Sequence, residues 1–308
     1  MSCKREYNKM KNHQSKLMFI HTFTVCFITL FFSCTDSIKE QNNSIKSESS
    51  SNNIIEKIET LSKNQILVCA HRAYHKYAPE NSLESIKQAI DAGIDIVEVD
   101  VNTTKDGVLV LMHDNAIDRT TNGKGWIGDF TYAELQKFSL ILNGEITNHK
   151  IPTLNQVLEL AKDKIMLNLD IKRVDVTKLY QLLKTNKMQN KVFSFIWDKR
   201  KISKILEIDA NYAVLPEVSN KSEMEYYLKN INSKMQHLNE KSFTPQNMVW
   251  AKDNNIITFM NILWKPDEQF ILNNTKKVDQ IIALKPTIIQ TDHPKKILEY
   301  LKNKNLHK

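Results

Sequence analysis

Cysteine is scarce in this 308-residue chain, four in all, and its placement excludes a disulfide framework. Cys3 and Cys26 fall within the first thirty-odd residues and Cys34 closes them, which leaves Cys69 as the one thiol of the part that can fold. A single thiol has nothing to pair with. Cys69 sits in an apolar run and reads as core filling rather than as a nucleophile. Glycine is also sparse: of six, Gly123, Gly125 and Gly128 crowd into one stretch, 114–130, with little helix or strand signal. That stretch reads as a long loop. No internal repeat and no second domain boundary are visible, which excludes a solenoid or a two-domain plan.

A clean membrane span is lacking too. Lys4, Arg5, Lys9, Lys11 and Lys16 precede an apolar run over 17–32, but His21, Thr22 and Thr24 dilute it and it ends Ser33-Cys34. Crossing a bilayer takes about twenty apolar residues, whereas a basic start, a short apolar centre and a small-residue end suit a secretion signal. An uncleaved anchor is the alternative. The ending resembles a bacterial lipoprotein lipobox, which implies removal of 1–33, lipidation of Cys34, and a place in the cell envelope, held to a membrane outside the cytoplasm. Segment 34–60 then reads as a flexible polar tether, rich in Ser and Asn and without apolar periodicity. The formal net charge is +8, but five basic residues and one acid, Glu6, in 1–33 account for four of those charges. The basic balance therefore gives no argument for nucleic acid, and nothing calls for a protein partner.

Residues 61–308 have the size of one α/β barrel. From Gln65 onward, short apolar runs alternate with amphipathic stretches, the pattern of βα units and a parallel sheet. Eight runs serve as strands: 66–70, 94–101, 108–112, 164–171, 192–195, 212–215, 256–261 and 287–291. A ninth, 235–238, is ambiguous; if it is a stave, one of the eight is not. Leu83, Ile86 and Ile90 mark a one-sided helix behind a capping Asn81 or Ser82. The expected architecture is a TIM-type (β/α)8 barrel with the 114–130 loop over its site.

Active groups of such barrels lie at the carboxyl ends of the strands. His71 follows the first run, Glu98 and Asp100 close the second, His113 follows the third, and Asp170 with Lys172 closes the fourth. The period of two puts Glu98 and Asp100 on one face. Two hard oxygen ligands then converge, as Ca²⁺ or Mg²⁺ requires, and the set as a whole suits metal-assisted chemistry on a phosphate. His75, His149 and His293 lie in loops with no visible partner. Trp126, Trp197 and Trp264 either line a pocket or bury aromatic area.

Taken together, Ala70-His71-Arg72, Pro79-Glu80-Asn81-Ser82, Glu98-Val99-Asp100, Thr104-Lys105-Asp106-Gly107, His113-Asp114, Asp118-Arg119-Thr120-Thr121-Asn122-Gly123 and Gln290-Thr291-Asp292-His293-Pro294 resemble the glycerophosphodiester phosphodiesterase family. The resemblance runs from Ile66 to Pro294. It implies a TIM-type barrel, one divalent metal ion, Ca²⁺ or Mg²⁺, and hydrolysis of a small glycerophosphodiester to glycerol 3-phosphate and an alcohol. It further implies His71 and His113 as general acid and base, and Glu98, Asp100 and Asp170 as metal ligands. Arg72 and Lys172 would then hold phosphoryl oxygens, Arg by its forked donors and Lys as a point charge. Glu80 has a supporting part: it touches the metal, orients Arg72 or leads into the helix.

Four departures from the family pattern stand out. Ala73 replaces a usual Gly, Ser82 a Thr, Asp170 a Glu, and the aromatic-Thr-x-Asn block near the seventh strand is reduced to Phe259-Met260-Asn261. If position 73 needs positive φ, the methyl group costs on the order of 1 kcal/mol. Asp170, one methylene short, is expected to weaken or alter metal binding. Two other readings follow from these departures and from the anchor: a binding lipoprotein that captures phosphorylated polyols without turnover, and a phospholipase-like phosphodiesterase on intact lipids.

Overall fold

Runs of Val, Ile and Leu that are buried on both faces can only be covered by helices outside and side chains within. In the computed structural model, which describes residues 53–308, they form such a sheet. Its strands are β1 (Leu67–Ala70), β2 (Ile96–Thr103), β3 (Leu109–Leu111), β6 (Met166–Ile171), β7 (Val192–Phe195), β8 (Val214–Leu215), β9 (Glu217–Val218), β10 (Met235–Leu238), β11 (Ile257–Asn261) and β12 (Ile288–Thr291), while β4 (Ile141–Leu142) and β5 (Glu145–Ile146) make a separate hairpin. The parallel path runs β8-β7-β6-β2-β1-β12-β11-β10-β9. Only Pro216 separates β8 from β9, so the two ends of the path are one stave broken by a residue that cannot donate to a ladder. The Pro216 carbonyl still accepts from the His237 N–H at 2.9 Å. Eight staves thus close into a barrel, with helices packed outside.

One of the eight runs lies outside the barrel wall, and the ambiguous ninth takes its place. The run 108–112 is not a stave: β3 pairs antiparallel with β2, Val101 facing Leu111 and Thr103 facing Leu109. The turn through Asp106 and Gly107 (φ 81°) explains this, because a tight hairpin reverses the chain and a parallel neighbour needs a crossover of a dozen or more residues. The ambiguous run 235–238 is the eighth stave, β10. His113 therefore reaches the site from a hairpin arm and not from a barrel strand.

The stretch 114–130 is largely irregular, as expected, and its Arg119 reaches Glu80 in the turn beside the mouth. It belongs to an insertion with its own small core of Val110, Met112, Ile117, Ile127, Leu135, Leu140 and Ile151. At Gly123 an added Cβ would stand 2.6 Å from the Phe138 ring, so one of the clustered glycines marks close packing rather than slack. None of residues 114–130 lines the cleft described below.

The other shift is at the amino end. Ile54–Leu61, all but its last residue within the stretch read as tether, forms helix α1, capped by the Asn53 side chain. Ile54 and Ile58 are fully buried and join Leu67, Ile96, Met166, Phe193 and Ile288 inside the barrel, at its amino-terminal pole. The remainder of the tether, the signal segment and Cys34 lie outside the described residues. Among the described residues no helix is long and apolar enough to cross a membrane. Helix α2 (Leu83–Asp91) starts at Ser82, whose hydroxyl accepts from Ser85 N–H while Ser85 Oγ accepts from Ser82 N–H.

If α1 plugs the barrel, Ile58→Ala should cost about 2–5 kcal/mol, the range for a fully buried Ile. Urea unfolding should show a lower midpoint with an unchanged slope, and Glu56→Ala on the exposed side of α1 should leave the midpoint where it was. Equal midpoints for both variants would detach α1 from the core.

Candidate active site

A cleft of about 860 Å³ opens at the carboxyl ends of the staves, and His71, Arg72, Glu98, Asp100, His113, Asp170 and Lys172 all line it. Parallel register explains the acidic group. Asp100 on β2 stands beside Asp170 on β6, and Glu98 beside Asn168, so residues that alternate inward on two neighbouring staves meet at one level. One oxygen from each of Glu98, Asp100 and Asp170 lies within 4.8 Å of the others. The shorter Asp170 is therefore part of the cluster.

Three carboxylates in a buried corner repel one another and lose hydration. Burial first, then Asp100 and Asp170, push Glu98 well above the usual carboxylate range. Asp170 is also raised, by burial more than by Asp100, with Lys172 opposing. Asp100 goes the other way: burial is outweighed by Lys172, His113 and the amide of Asn81, and its carboxyl is held low. Lys172 Nζ lies 2.6 Å from Asp170 Oδ2 and 3.0 Å from Asp100 Oδ1. Asn81 grips Asp100 twice, Nδ2 donating to Oδ2 at 2.7 Å and Oδ1 accepting from the Asp100 N–H at 3.0 Å.

Oxygens remain unmet in this corner. Glu98 Oε1, Asp170 Oδ1 and Asn168 Oδ1 are buried without a hydrogen-bond partner, and bare buried acceptors of this kind are uncommon. An all-oxygen donor set with spare lone pairs fits a hard divalent cation. Glu80 stands apart from it. Its oxygens accept from Arg72 Nη1 at 3.1 Å and from Arg119 Nη1 and Nη2 at 2.8 and 2.9 Å. Of the parts open to Glu80, orienting Arg72 is the one its contacts carry out. Arg119 also binds Asp114, so it ties the insertion to the first βα turn.

Each histidine is backed by a carboxylate. His71 Nδ1 is 2.7 Å from Asp292 Oδ1, and His113 Nδ1 is 2.6 Å from Asp114 Oδ1. Such a pairing places the proton on Nδ1 and leaves Nε2 free to exchange one. Asp114 is held down to about 2: burial opposes this, but Arg119 and His113 outweigh it. Asp292 is lowered in the same way, His71 prevailing over burial. Asp292 has support of its own, since Asp267 Oδ2 accepts from its N–H at 2.8 Å while Asp267 Oδ1 accepts from the Thr291 hydroxyl at 2.6 Å.

Sequence reading gave no role to Asp114, Arg119, Asp292 or Asp267. The first three stand in quoted motifs, which was the available signal; Asp267 had none. His75 does have partners, its Nδ1 lying 2.9 Å from the His71 carbonyl and its Nε2 3.7 Å from Asp292. His149 and His293 do not line the cleft; Trp197 and Trp264 do, and Trp126 does not.

A family model described as the glycerophosphoryl diester phosphodiesterase family matches residues 71–296. The chain belongs to that family. Among its relatives is a glycerophosphodiester phosphodiesterase of Caldanaerobacter subterraneus subsp. tengcongensis, 47% identical over 109 residues, which are 34% of this chain and 45% of that one. Glycerophosphodiester phosphodiesterase 1 of Homo sapiens is 39% identical over 115 residues, 36% of this chain and 35% of that one. The chain thus spans less than half the length of these curated relatives. The fold matches over more: a glycerophosphoryl diester phosphodiesterase from Parabacteroides distasonis superposes with TM-score 0.73 at 26% identity, covering 82% of this chain and 92% of that one. A phosphodiesterase of Oleispira antarctica, solved with the product sn-glycerol-3-phosphate, has TM-score 0.66 at 24% identity, covering 77% and 97%.

Within this family pattern Ala73 is the departure with a measurable cost. Arg72 and Ala73 have φ of 52° and 64°, and Ala73 is buried. Left-handed backbone penalises a Cβ by about 1–2 kcal/mol. Ala73→Gly should therefore stabilise the protein by about 0.5–1 kcal/mol, after the greater freedom of the unfolded glycine chain is allowed for. Chemical denaturation would show a raised midpoint; a lowered one would mean that the methyl group is useful packing.

Proposed function

We propose that the protein hydrolyses glycerophosphodiesters to glycerol 3-phosphate and an alcohol, with His71 and His113 exchanging the protons. The observation that carries this reading is the pair of carboxylate-backed imidazoles at the rim of one acidic corner. Glu98, Asp100 and Asp170 would hold one divalent cation, Ca²⁺ or Mg²⁺, which supplies positive charge to the phosphoryl oxygens as negative charge builds on them. Arg72, kept in place by Glu80, and Lys172, between Asp100 and Asp170, add fixed positive charge beside the phosphate. Asp292 and Asp114 each stabilise the imidazolium that forms when His71 or His113 takes a proton. The complete set argues for turnover rather than mere capture.

Purified protein with Ca²⁺ or Mg²⁺ should release glycerol 3-phosphate from glycerophosphocholine. A chelator should abolish the activity and the metal restore it. His71→Ala should lower kcat by about 10²–10⁴, the usual worth of a general acid or base. Wild-type rates from His71→Ala across several diesters and metals would overturn the reading.

The same proposal places the protein in the cell envelope, tethered through a lipidated Cys34. Cys34→Ser should move the protein from the membrane fraction to the soluble one, as followed by immunoblot. Unchanged membrane retention would count against the lipid anchor.

A further inference from the structure

The cleft has a second wall that the chemistry above does not use. In the closed order β1, β2, β6, β7, β8/β9, β10, β11, β12, stave β10 lies diametrically across from β2, and β11 across from β6. The acidic corner on β2 and β6 therefore looks over the barrel mouth at β10 and β11. His237 on β10 lines the cleft and is 8% exposed. The rings of Phe195 and Phe259 meet it edge-on, at centroid distances of 5.2 and 5.3 Å. Its Nδ1 is buried with no hydrogen-bond partner. Burial in this collar keeps the imidazole neutral, its pKa pushed down to about 4.

Asn261 repeats the pattern. It stands two residues beyond Phe259 and so on the same face of β11, it lines the cleft, and its Oδ1 is buried and unpartnered. Neighbouring staves thus carry two bare polar groups beside the Phe195 and Phe259 rings, with Glu217 in register with His237 and Gln290 in register with Asn261 also lining the cleft. Leaving them unmet lowers stability, and a bound group that fills the cleft would satisfy them.

We propose that His237, with Asn261 beside it, receives a hydroxyl-bearing arm of the diester, either its glycerol or a polyol leaving alcohol. This rests on the hydrolase reading and adds where the hydroxyls of the substrate are recognised. A neutral imidazole can give or take a hydrogen bond, and so can a hydroxyl; the Asn261 carbonyl accepts one. Phe195 and Phe259 exclude the water that would compete. The cleft of about 860 Å³ reaches from β2 and β6 to β10 and β11 across the mouth, so a phosphate against β2 and β6 sends its substituent toward this wall.

Three substrates test the subsite: glycerophosphoglycerol, glycerophosphopropanol, and hydroxyl-free bis(4-nitrophenyl) phosphate. His237→Phe, which keeps a ring beside Phe195 and Phe259, should lower kcat/KM for glycerophosphoglycerol at least tenfold and leave the hydroxyl-free diester unchanged. His237→Gln should restore most of the loss. An equal loss on glycerophosphopropanol assigns the arm to glycerol, and no loss there assigns it to the leaving alcohol. No change on any substrate, or the same loss on all three, overturns the proposal. If His237→Phe does not fold, Asn261→Leu is held to the same outcomes. If the wild type cleaves none of the diesters, the hydrolase reading falls and calorimetry decides the subsite alone. A tenfold or greater preference for glycerophosphoglycerol over dipropyl phosphate, erased in the variant, sustains it; no preference removes it.

Discussion

The crowding of like charge between β2 and β6 governs much of this molecule. A register that sets Asp100 beside Asp170, with Glu98 one inward position below, concentrates three acids where water is scarce. Coulomb repulsion at such range is strong in a medium of low polarisability. The chain answers with Lys172, with the two-point grip of Asn81, and with the Arg72 N–H that donates to Glu98 at 2.8 Å. These contacts leave oxygens over, and the leftover lone pairs give the corner its capacity for a cation.

A second constraint links the insertion to the barrel. Arg119 holds Glu80 with two nitrogens and Asp114 with a third, and Glu80 in turn holds Arg72. The four side chains form a continuous ion-pair network, so the hairpin that carries His113 is keyed to the turn that carries His71. Networks of this kind are worth more than isolated surface pairs. Their benefit here is geometric: two imidazoles from separate elements are kept at one mouth.

Much of the site was legible because inward alternation is a local property. Glu98 and Asp100 share a face by period alone, and the residues after strand ends fall at the mouth whichever staves are counted. Counting the staves was harder. The run 108–112 has the composition of a strand and is one, but the Asp106-Gly107 reversal takes it out of the barrel and leaves its place to β10. Helix α1 was hidden by averaging, since Ile54 and Ile58 are a buried i, i+4 pair inside a polar segment. Partners distant in sequence were invisible: His71 and Asp292 are 221 residues apart, and His237 sits in the very run whose identity was ambiguous.

Helix α1 also fixes a polarity. Ile54 N–H donates to the Asn190 carbonyl just ahead of β7, so the chain enters the body at the pole opposite the mouth. Ile54 and Ile58 fill that pole, so the passage of solutes falls to the other end, where the cleft opens at the carboxyl ends of the staves.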